Sequence, residues 1–598
     1  MTTKLEIQKL LAEALQKCFA VSKQPDQVHL ERPADYSHGD WASNIPMVLA
    51  KELKQNPKQI AEKLVAEISA DKGALLQSVE VAGPGFINFR VLDSVLVGEL
   101  EEIARLKEKF GHQQINSGKV ILVEHTSPNP NKEFHLGHLK NNVTGLAVSY
   151  LLEASGAKIF RDCINNNRGI AIVKLMWGYL RFGRKDEKVV TDVHYWFEHQ
   201  QEWHTPGSIG LKPDRFMDKM YTSGAHDFKN SPEVEGILRQ MLLDWEAEEP
   251  HVWALWKLTQ DWVWEGYERS IGRVDGFKFD RIWNEHEIYK KGKEHVLAGL
   301  EKGVFKKTED GAIVSDLKEF NLSDTILVRG DGTSLYITQD IELTNLKRET
   351  FHPDQMFWVI GPEQSLAMKQ MFAVCSLLGF GRYEDFHHIS YGFVSIRNAE
   401  GKVSKMSSRD GTAIYVDDLI DLAKEKVLNY IDESILGEER DQIAEQVAIG
   451  AIKYSLLKVS RTTDQVFDID TTLSLEGDSG PYILYSYARA QAILKKSNLQ
   501  EYSVDTDWEI SEIERELMHK LSTFPEVVSL AIEIYAPNIV AGYVYELAQI
   551  FNNFYTHTII LKAESEKLKL NRLMLVKGFQ QVMHNALGIL GIEPLDKM

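Results

Sequence analysis

With 598 residues the chain is too long for one hydrophobic core, which points to about three or four domains. Hydrophobic residues at 43% and charged residues at 26% are ordinary for a soluble globular protein, and the absence of any apolar run of ~18 residues excludes a transmembrane helix. A formal net charge of −19 excludes a protein that coats nucleic acid through bulk charge, while leaving room for a local basic face that binds RNA. The three cysteines, Cys18, Cys163 and Cys375, are far apart and form no CxxC pair, so neither a zinc ribbon nor a disulfide framework is expected.

Residues 1–112 read as a small α+β unit. The opening MTTKLEIQKLLAEALQKCFA is an amphipathic helix of the fold: its apolar stretch is too short for a secretory signal, and Glu6 and Glu13 argue against a mitochondrial presequence. A cytoplasmic location is therefore expected. YSHGDWASNIPMVLAKEL (36–53) is a turn feeding a helix, and SVEVAGPGFINFRV (78–91) is two strands joined by a tight turn at Gly83-Pro84-Gly85.

The second unit, 113–410, opens with GKVILVEHTS (118–127), whose apolar run Val120 to Val123 marks a buried parallel strand. A loop follows, then a helix in which Leu139, Val143, Leu146, Ala147, Tyr150 and Leu151 recur at helical spacing up to a stop at Gly156. AKIFRDCIN (157–165) is the next strand, completing a βαβ unit of the kind that binds nucleotides at its loop-to-helix switch. A largely helical region from about 177 to 283 holds nine of the twelve tryptophans, read as core packing. Later strands are expected at TILVRGDGTSLYITQDI (325–341, with Gly330-Asp331-Gly332 as a hairpin turn), MFWVIG (356–361) and FHHISYGFVSI (386–396). From about 411 the chain reads as helical throughout, with a junction over 411–470 and a bundle over 471–598. There is no solenoid repeat and no low-complexity tract.

Two polar stretches carry the chemistry. In SPNPNKEFHLGHLKNN (127–142), His135 and His138 share one side of a first helical turn that starts just after a buried strand. A helix start offers unpaired N–H groups and a positive dipole end to phosphate, and Gly137 leaves room for close approach. The imidazoles can donate to phosphate oxygens; a zinc site would need a third ligand, and none stands at metal spacing nearby. GKVSKMSSRDG (401–411), with Lys402, Lys405 and Arg409, reads as a mobile basic surface loop of the sort that closes over a triphosphate.

Together the stretches resemble the paired signatures of class I aminoacyl-tRNA synthetases: HLGH (135–138) is similar to their HIGH motif and KMSSR (405–409) to their KMSKS loop. The chain resembles the arginyl branch in particular, and the likeness runs over nearly its whole length. SPNPNKEFHLGHL fits that branch's form of the first motif. GDWASNIPMVLAK (39–51) and VEVAGPGFINF (79–89) fit its N-terminal domain, and DGTSLYITQD (331–340) its substrate pocket. VAIGAIKYSLLK, FDID (467–470), EGDSGPYILYSYARA (476–490) and ALGILGIEPLDKM fit its anticodon-binding helices.

The resemblance implies an α/β multidomain protein: a Rossmann-type catalytic domain (113–410), a small α+β N-terminal tRNA-binding domain (1–112), a tRNA-contacting junction (411–470) and an all-α anticodon-binding bundle of the DALR type (471–598). It implies an arginine pocket of Glu124, Asn129, Tyr336, Asp340 and Gln364. Ser127, His135, Gly137, His138, Met406 and Ser407 are implied at the ATP, and Lys132, His135, His138 and Lys405 as catalytic. A guanidinium suits such a pocket, because planar carboxylates can hold it in bidentate fashion. The implied partners are arginine, ATP with Mg2+ and tRNA(Arg), with no structural metal, no membrane and a monomeric state. Bound tRNA is implied to be needed before arginine is activated. Tyr545, Phe551, Phe554 and Tyr555 are candidates to stack on anticodon bases.

The chain departs from the branch's pattern at several places. Ser408 stands where the KMSKS loop usually has its second lysine, and members lacking that lysine typically carry one just before the first motif, which here is Lys132. Gln339 replaces a usual arginine, Ala367 a usual histidine, and Lys140-Asn141 a usual Arg-Ser; CINNNRGIAI (163–172) departs from the usual Gly-Asp-Trp-Gly form.

Overall fold

A computed structural model describes residues 3–33, 38–70, 72–333, 335–397, 403–405, 414–432, 434–498 and 508–598. In the N-terminal unit, strands Leu76–Ala82 and Phe86–Val91 pair antiparallel, and Trp41–Ser43 adds to the second. Gly85 in their turn adopts φ +140°, and a Cβ there would lie 2.8 Å from the Pro57 side chain, so both the backbone and the close approach demand glycine. Helices Thr3–Phe19 and Pro57–Ala70 cover the sheet with buried Ile7, Leu11, Ile60 and Leu64.

The second unit is built on five parallel strands: β1 (Val120–Glu124), β2 (Lys158–Asn165), β3 (Arg281–Asn284), β4 (Gln355–Val359) and β5 (Phe386–Ile389). Their spatial order is β5-β4-β1-β2-β3. The chain therefore leaves β1 in one direction to build β2 and β3, then returns to the other side for β4 and β5. The crevice between the carboxyl ends of β1 and β4 is the switch point where doubly wound sheets bind ligands. Both faces of β1 are covered, with Ile121, Leu122 and Val123 excluded from solvent, which is why its sequence is continuously apolar. Helix α1 (Leu136–Ala154) links β1 to β2 and is buried along most of its length.

Two expected strands change identity, and two further stretches contain strands that were not expected. Residues 325–341 do not form a hairpin: Thr325–Val328 belongs to a separate three-stranded antiparallel sheet, and helix α2 (Tyr336–Phe351) begins after the turn. Ile337 and Ile341 recur at i, i+4, and that periodicity prevails over their β-branched preference. The stretch 386–396 is split into β5 and Val394–Arg397, which lie in different sheets. Gly392 marks the break; a Cβ there would lie 2.2 Å from the Thr463 carbonyl oxygen. The stretch expected as a basic surface loop begins as a strand, Val403–Lys405, antiparallel to Val394–Arg397. The junction over 411–470 is not wholly helical either, because Gln465–Phe467 pairs parallel with Val394–Arg397.

The nine tryptophans are mainly core. Trp177, Trp196, Trp203, Trp245, Trp256 and Trp283 are buried, and Trp253, Trp262 and Trp264 are half-buried. The C-terminal bundle closes back on the N-terminal unit: helix Glu566–Ile589 packs on Asp93–Leu106, and a buried Arg515 pairs with Asp40 at 2.8 Å. Among the described residues no helix is long and apolar enough to cross a membrane.

Candidate active site

The loop after β1 is held from beneath. Thr126, at φ +74°, turns the chain out of the strand, an energetically costly conformation for a β-branched residue. Two consecutive asparagines of α1 compensate: Asn141 Oδ1 accepts from Thr126 N at 2.6 Å, and Asn142 Nδ2 donates to Thr126 Oγ1 at 2.9 Å. Asn141 Nδ2 also donates to the Val359 carbonyl at 2.8 Å, clamping the ends of β1 and β4 across the crevice. From the tryptophan-rich side, the buried Tyr267 hydroxyl bonds the carbonyls of Lys132 at 2.7 Å and Asn129 at 3.1 Å, and Gln260 reaches that of Pro130. The helix Pro250–Arg273 thus braces the loop that carries the motif as well as packing a core.

His135 is the N-cap of α1, and its ring stacks on that of His138 with centroids 3.8 Å apart. The Gly137 N–H donates to His135 Nδ1 at 3.2 Å, and the His135 N–H points to His138 Nδ1 at 3.5 Å. A backbone N–H can only donate, so both Nδ1 atoms accept and the ring protons sit on Nε2. Burial, with the Lys132 charge second, holds His135 down at about 4; burial, with His135 and Lys132 behind it, takes His138 well below the usual value. Both rings are therefore neutral Nε2–H donors at pH 7. Leu136 N donates to the Ile414 carbonyl, so the first two helical N–H groups are already engaged. In this conformation the imidazole Nε2–H groups, and not the N–H groups of Leu136 and Gly137, are the donors left at this helix start.

Lys132 is half-buried, with its ammonium 5.7 Å from the centre of the Tyr221 ring. Among the described residues it has no carboxylate within ion-pair distance. The chain downstream of the second basic stretch reaches the same place: Tyr415 bridges to His135, and the Val416 N–H donates to the Phe134 carbonyl at 3.0 Å. The Lys405 backbone pairs with Ser395, while its side chain, like that of Tyr336, lies outside what is described; Met406 and Ser407 lie wholly outside. Tyr336 is the first residue of α2.

The acids gather at the other side of the strand ends. Glu124 closes β1 and Asp162 stands opposite it on β2. Lys347 of α2 is buried between them, bonded to Glu124 Oε2 and 2.9 Å from Asp162 Oδ2. Ser127 Oγ donates to Glu124 Oε1 at 2.8 Å and accepts from Ile164 N, so this hydroxyl orients the carboxylate. Burial, and then the Glu124 charge, hold the half-buried Asp340 carboxyl up at about 7. Asn129 and Gln364 are exposed at the mouth, on the loops after β1 and β4. Sequence reasoning missed Lys347, Asp162 and the asparagine clamp; an acid inside the strand AKIFRDCIN was the one available signal.

Three family models match: the class I (R) tRNA synthetase catalytic domain over residues 99–469, the DALR anticodon binding domain over 483–598, and the arginyl tRNA synthetase N-terminal domain over 5–91. The arginine–tRNA ligase of Treponema denticola is 34% identical over 99% of both chains. The chain belongs to the arginyl-tRNA synthetase family. That of Bacteroides fragilis is 34% identical over 92% of each chain. The arginyl-tRNA synthetase of Thermus thermophilus shares the fold, with a TM-score of 0.78 at 24% identity over 99% of each chain.

Two base-stacking candidates of this family reading are corrected by the bundle. Phe551 and Phe554 are completely buried, and Phe551 stacks on Phe579 with centroids 3.7 Å apart, so no base can reach them. Tyr545 is half-buried and Tyr555 is exposed. The Arg489 guanidinium lies 4.6 Å from the Tyr555 ring centre and 4.7 Å from that of Tyr485, which is also exposed. Outside the crevice, His194, Glu249 and His251 bring possible ligand atoms within 4.8 Å of one another, but the Glu249 carboxylate already caps the helix at Val252 and bonds His251.

Proposed function

We propose that the protein is an arginine–tRNA ligase: it joins L-arginine and Mg-ATP into arginyl-adenylate with release of pyrophosphate, then passes arginine to the 3′ end of tRNA(Arg). The observation that carries this reading is the juxtaposition, at one switch point, of the neutral histidine pair and a carboxyl cluster short of a cation. The arginine carboxylate attacks the α-phosphate in line, so the protein supplies position and charge rather than a nucleophile. His135 and His138 donate Nε2–H to phosphate oxygens as negative charge shifts toward pyrophosphate, and Lys132 with Lys405 neutralises the triphosphate. Glu124 and Asp340 take the guanidinium with Tyr336 beside them, and Asn129 and Gln364 hold the α-amino and carboxylate end. Gly137, Ser127, Met406 and Ser407 complete the ATP side, Ser127 through Glu124. The adenylate is opened by the 2′-hydroxyl of the terminal adenosine. The reading includes a cytoplasmic monomer and domains at 1–112, 113–410, 411–470 and 471–598.

Arginine-dependent exchange of pyrophosphate into ATP, measured with and without tRNA(Arg), tests the reading. Exchange is expected with arginine and RNA together; exchange driven by another amino acid, or none at all, would overturn it, and exchange at full rate without RNA would overturn the tRNA requirement.

The bundle provides a separate test. The exposed rings of Tyr485 and Tyr555, with the half-buried Arg489 guanidinium between them, offer a ladder on which unstacked bases fit, with about 1–3 kcal/mol per stacked base. Tyr555→Ala is expected to raise the KM for tRNA about tenfold and leave the melting temperature unchanged. Phe551→Ala is expected to do the reverse, lowering stability by about 3–5 kcal/mol through loss of a core ring. Thermal melts and aminoacylation kinetics on the two variants distinguish the roles.

A further inference from the structure

Lys347 is fully buried, and among the described residues its ammonium is bonded to Glu124 and Asp162 and faces the Trp358 ring at 5.4 Å. A buried ion pair is a poor device for stability, because desolvation of both charges offsets most of their attraction and apolar side chains of the same volume serve as well. Its geometry is informative instead. Glu124, Asp162 and Trp358 are register neighbours at the carboxyl ends of three adjacent strands, so the ammonium sits on the floor of the crevice. Lys347 follows Asp340 by seven residues, which places the two on one stripe of α2.

The groups that feel this ammonium are Glu124 from β1, Asp162 and Cys163 from β2, and Asp340 from its own helix, while Glu285, at the start of the short helix after β3, acts on Asp340. Asp162 Oδ2 also accepts from Trp283 Nε1 at 2.8 Å, whereas its Oδ1 is buried without a hydrogen-bond partner. Three carboxyls thus share one lysine, two of them in direct contact with it, and Glu285 beyond them feels the Arg168 charge. Glu124 and Asp162 pair with Lys347, whereas Asp340 has no ion-pair partner among the described residues.

We propose that Lys347 is a positioning residue for amino-acid selection: it occupies the inner side of Glu124 and locks it with Asp162, so that the outer side of Glu124 and Asp340 are left for one further cation, the substrate guanidinium. Resting on the arginine reading above, this assigns the floor of the pocket to the protein's own ammonium. A side chain entering the crevice meets a filled floor and an unmatched acid at mid-depth. A neutral amino acid leaves that acid unpaired, and without Lys347 the Glu124 carboxylate keeps only the Ser127 hydroxyl to orient it.

The test uses the full-length chain with Lys347→Met and Lys347→Arg, measured by arginine-dependent pyrophosphate exchange in the presence of tRNA(Arg). The Met variant is expected to raise the KM for arginine about tenfold or more with the KM for ATP within about twofold of wild type. The acid limb of its kcat/KM for arginine moves to higher pH, because loss of the ammonium favours the protonated carboxyls. Lys347→Arg restores most of the arginine affinity. A Met variant with wild-type arginine KM and pH profile, or with arginine and ATP constants rising together, overturns the proposal. Should the Met variant fail to fold, Lys347→Met combined with Asp162→Asn removes the unpaired buried charge, and the same split between arginine and ATP decides. Absence of arginine-dependent exchange in the wild type would instead sink the ligase reading itself.

Discussion

Asp340→Asn is expected to lower kcat/KM for arginine by about a thousandfold while leaving the KM for ATP within about twofold. Removing one partner of a buried charge-assisted pair costs about 3–5 kcal/mol, and each ~1.4 kcal/mol is a factor of ten. The wild type carries a pH signature that the variant lacks. Burial and the Glu124 charge raise the Asp340 carboxyl from its ordinary 3.8 to about 7, so at pH 6 it is mostly neutral. A guanidinium requires the carboxylate, so binding must expel a proton. The kcat/KM for arginine is therefore expected to fall as pH drops below 7, approaching tenfold per pH unit, and to level off above it. Because the folded-state value lies above the unfolded one, the stability this group contributes in acid is lost as pH rises from about 4 to about 7. Arginine should accordingly raise the melting temperature more at pH 8 than at pH 6. Asp340→Asn should flatten both profiles; if it keeps the wild-type slope, another group titrates.

Lys132→Ala is expected to lower kcat for arginine-dependent exchange about a hundred- to a thousandfold, with little change in the KM for arginine. A single preorganised donor or cation aimed at developing charge is worth about 3–4 kcal/mol in a water-poor site. Lys132 is suited to that work because its ammonium rests on the Tyr221 ring without a carboxylate partner among the described residues, leaving its charge for the ligand. Both histidines feel that charge, which helps keep them neutral; its removal raises the His135 pKa, so the acid limb of kcat should shift upward. Ser408 lies outside the described residues, but function can interrogate it. Adding Ser408→Lys to Lys132→Ala is expected to recover at least tenfold of the loss if one lysine substitutes for the other. Unchanged exchange in Lys132→Ala would remove the residue from the catalytic set.

The parts of this protein legible in its sequence are those whose physics is local. An apolar run reports a strand covered on both faces; a cap residue and i, i+3 spacing report a helix start with two side chains on one side. Hence β1, the hairpin at 76–91 and the pairing of His135 with His138 could be read directly, as could the short motifs that carry the family resemblance. Where two local preferences conflict, as at 336–341, the sequence reading erred: β-branched residues suggested a strand, and the helical burial of Ile341 decided otherwise.

Three features were decided only by the tertiary structure. Lys347 and Glu124 lie 223 positions apart and meet because β1, β2 and α2 converge at one end of the sheet. Which aromatic rings of the helix Pro537–His557 stay open to RNA depends on where helix Glu566–Ile589 packs, and that contact buries Phe551 and leaves Tyr555 exposed. The backbone pairing of 414–416 with 134–136 brings the segment that follows the downstream basic stretch to the first motif. Side-chain chemistry and periodicity are carried by the sequence itself. The charge balance of a buried site, and the direction in which a half-apolar helix turns its polar atoms, arise only when distant segments exclude water from one another.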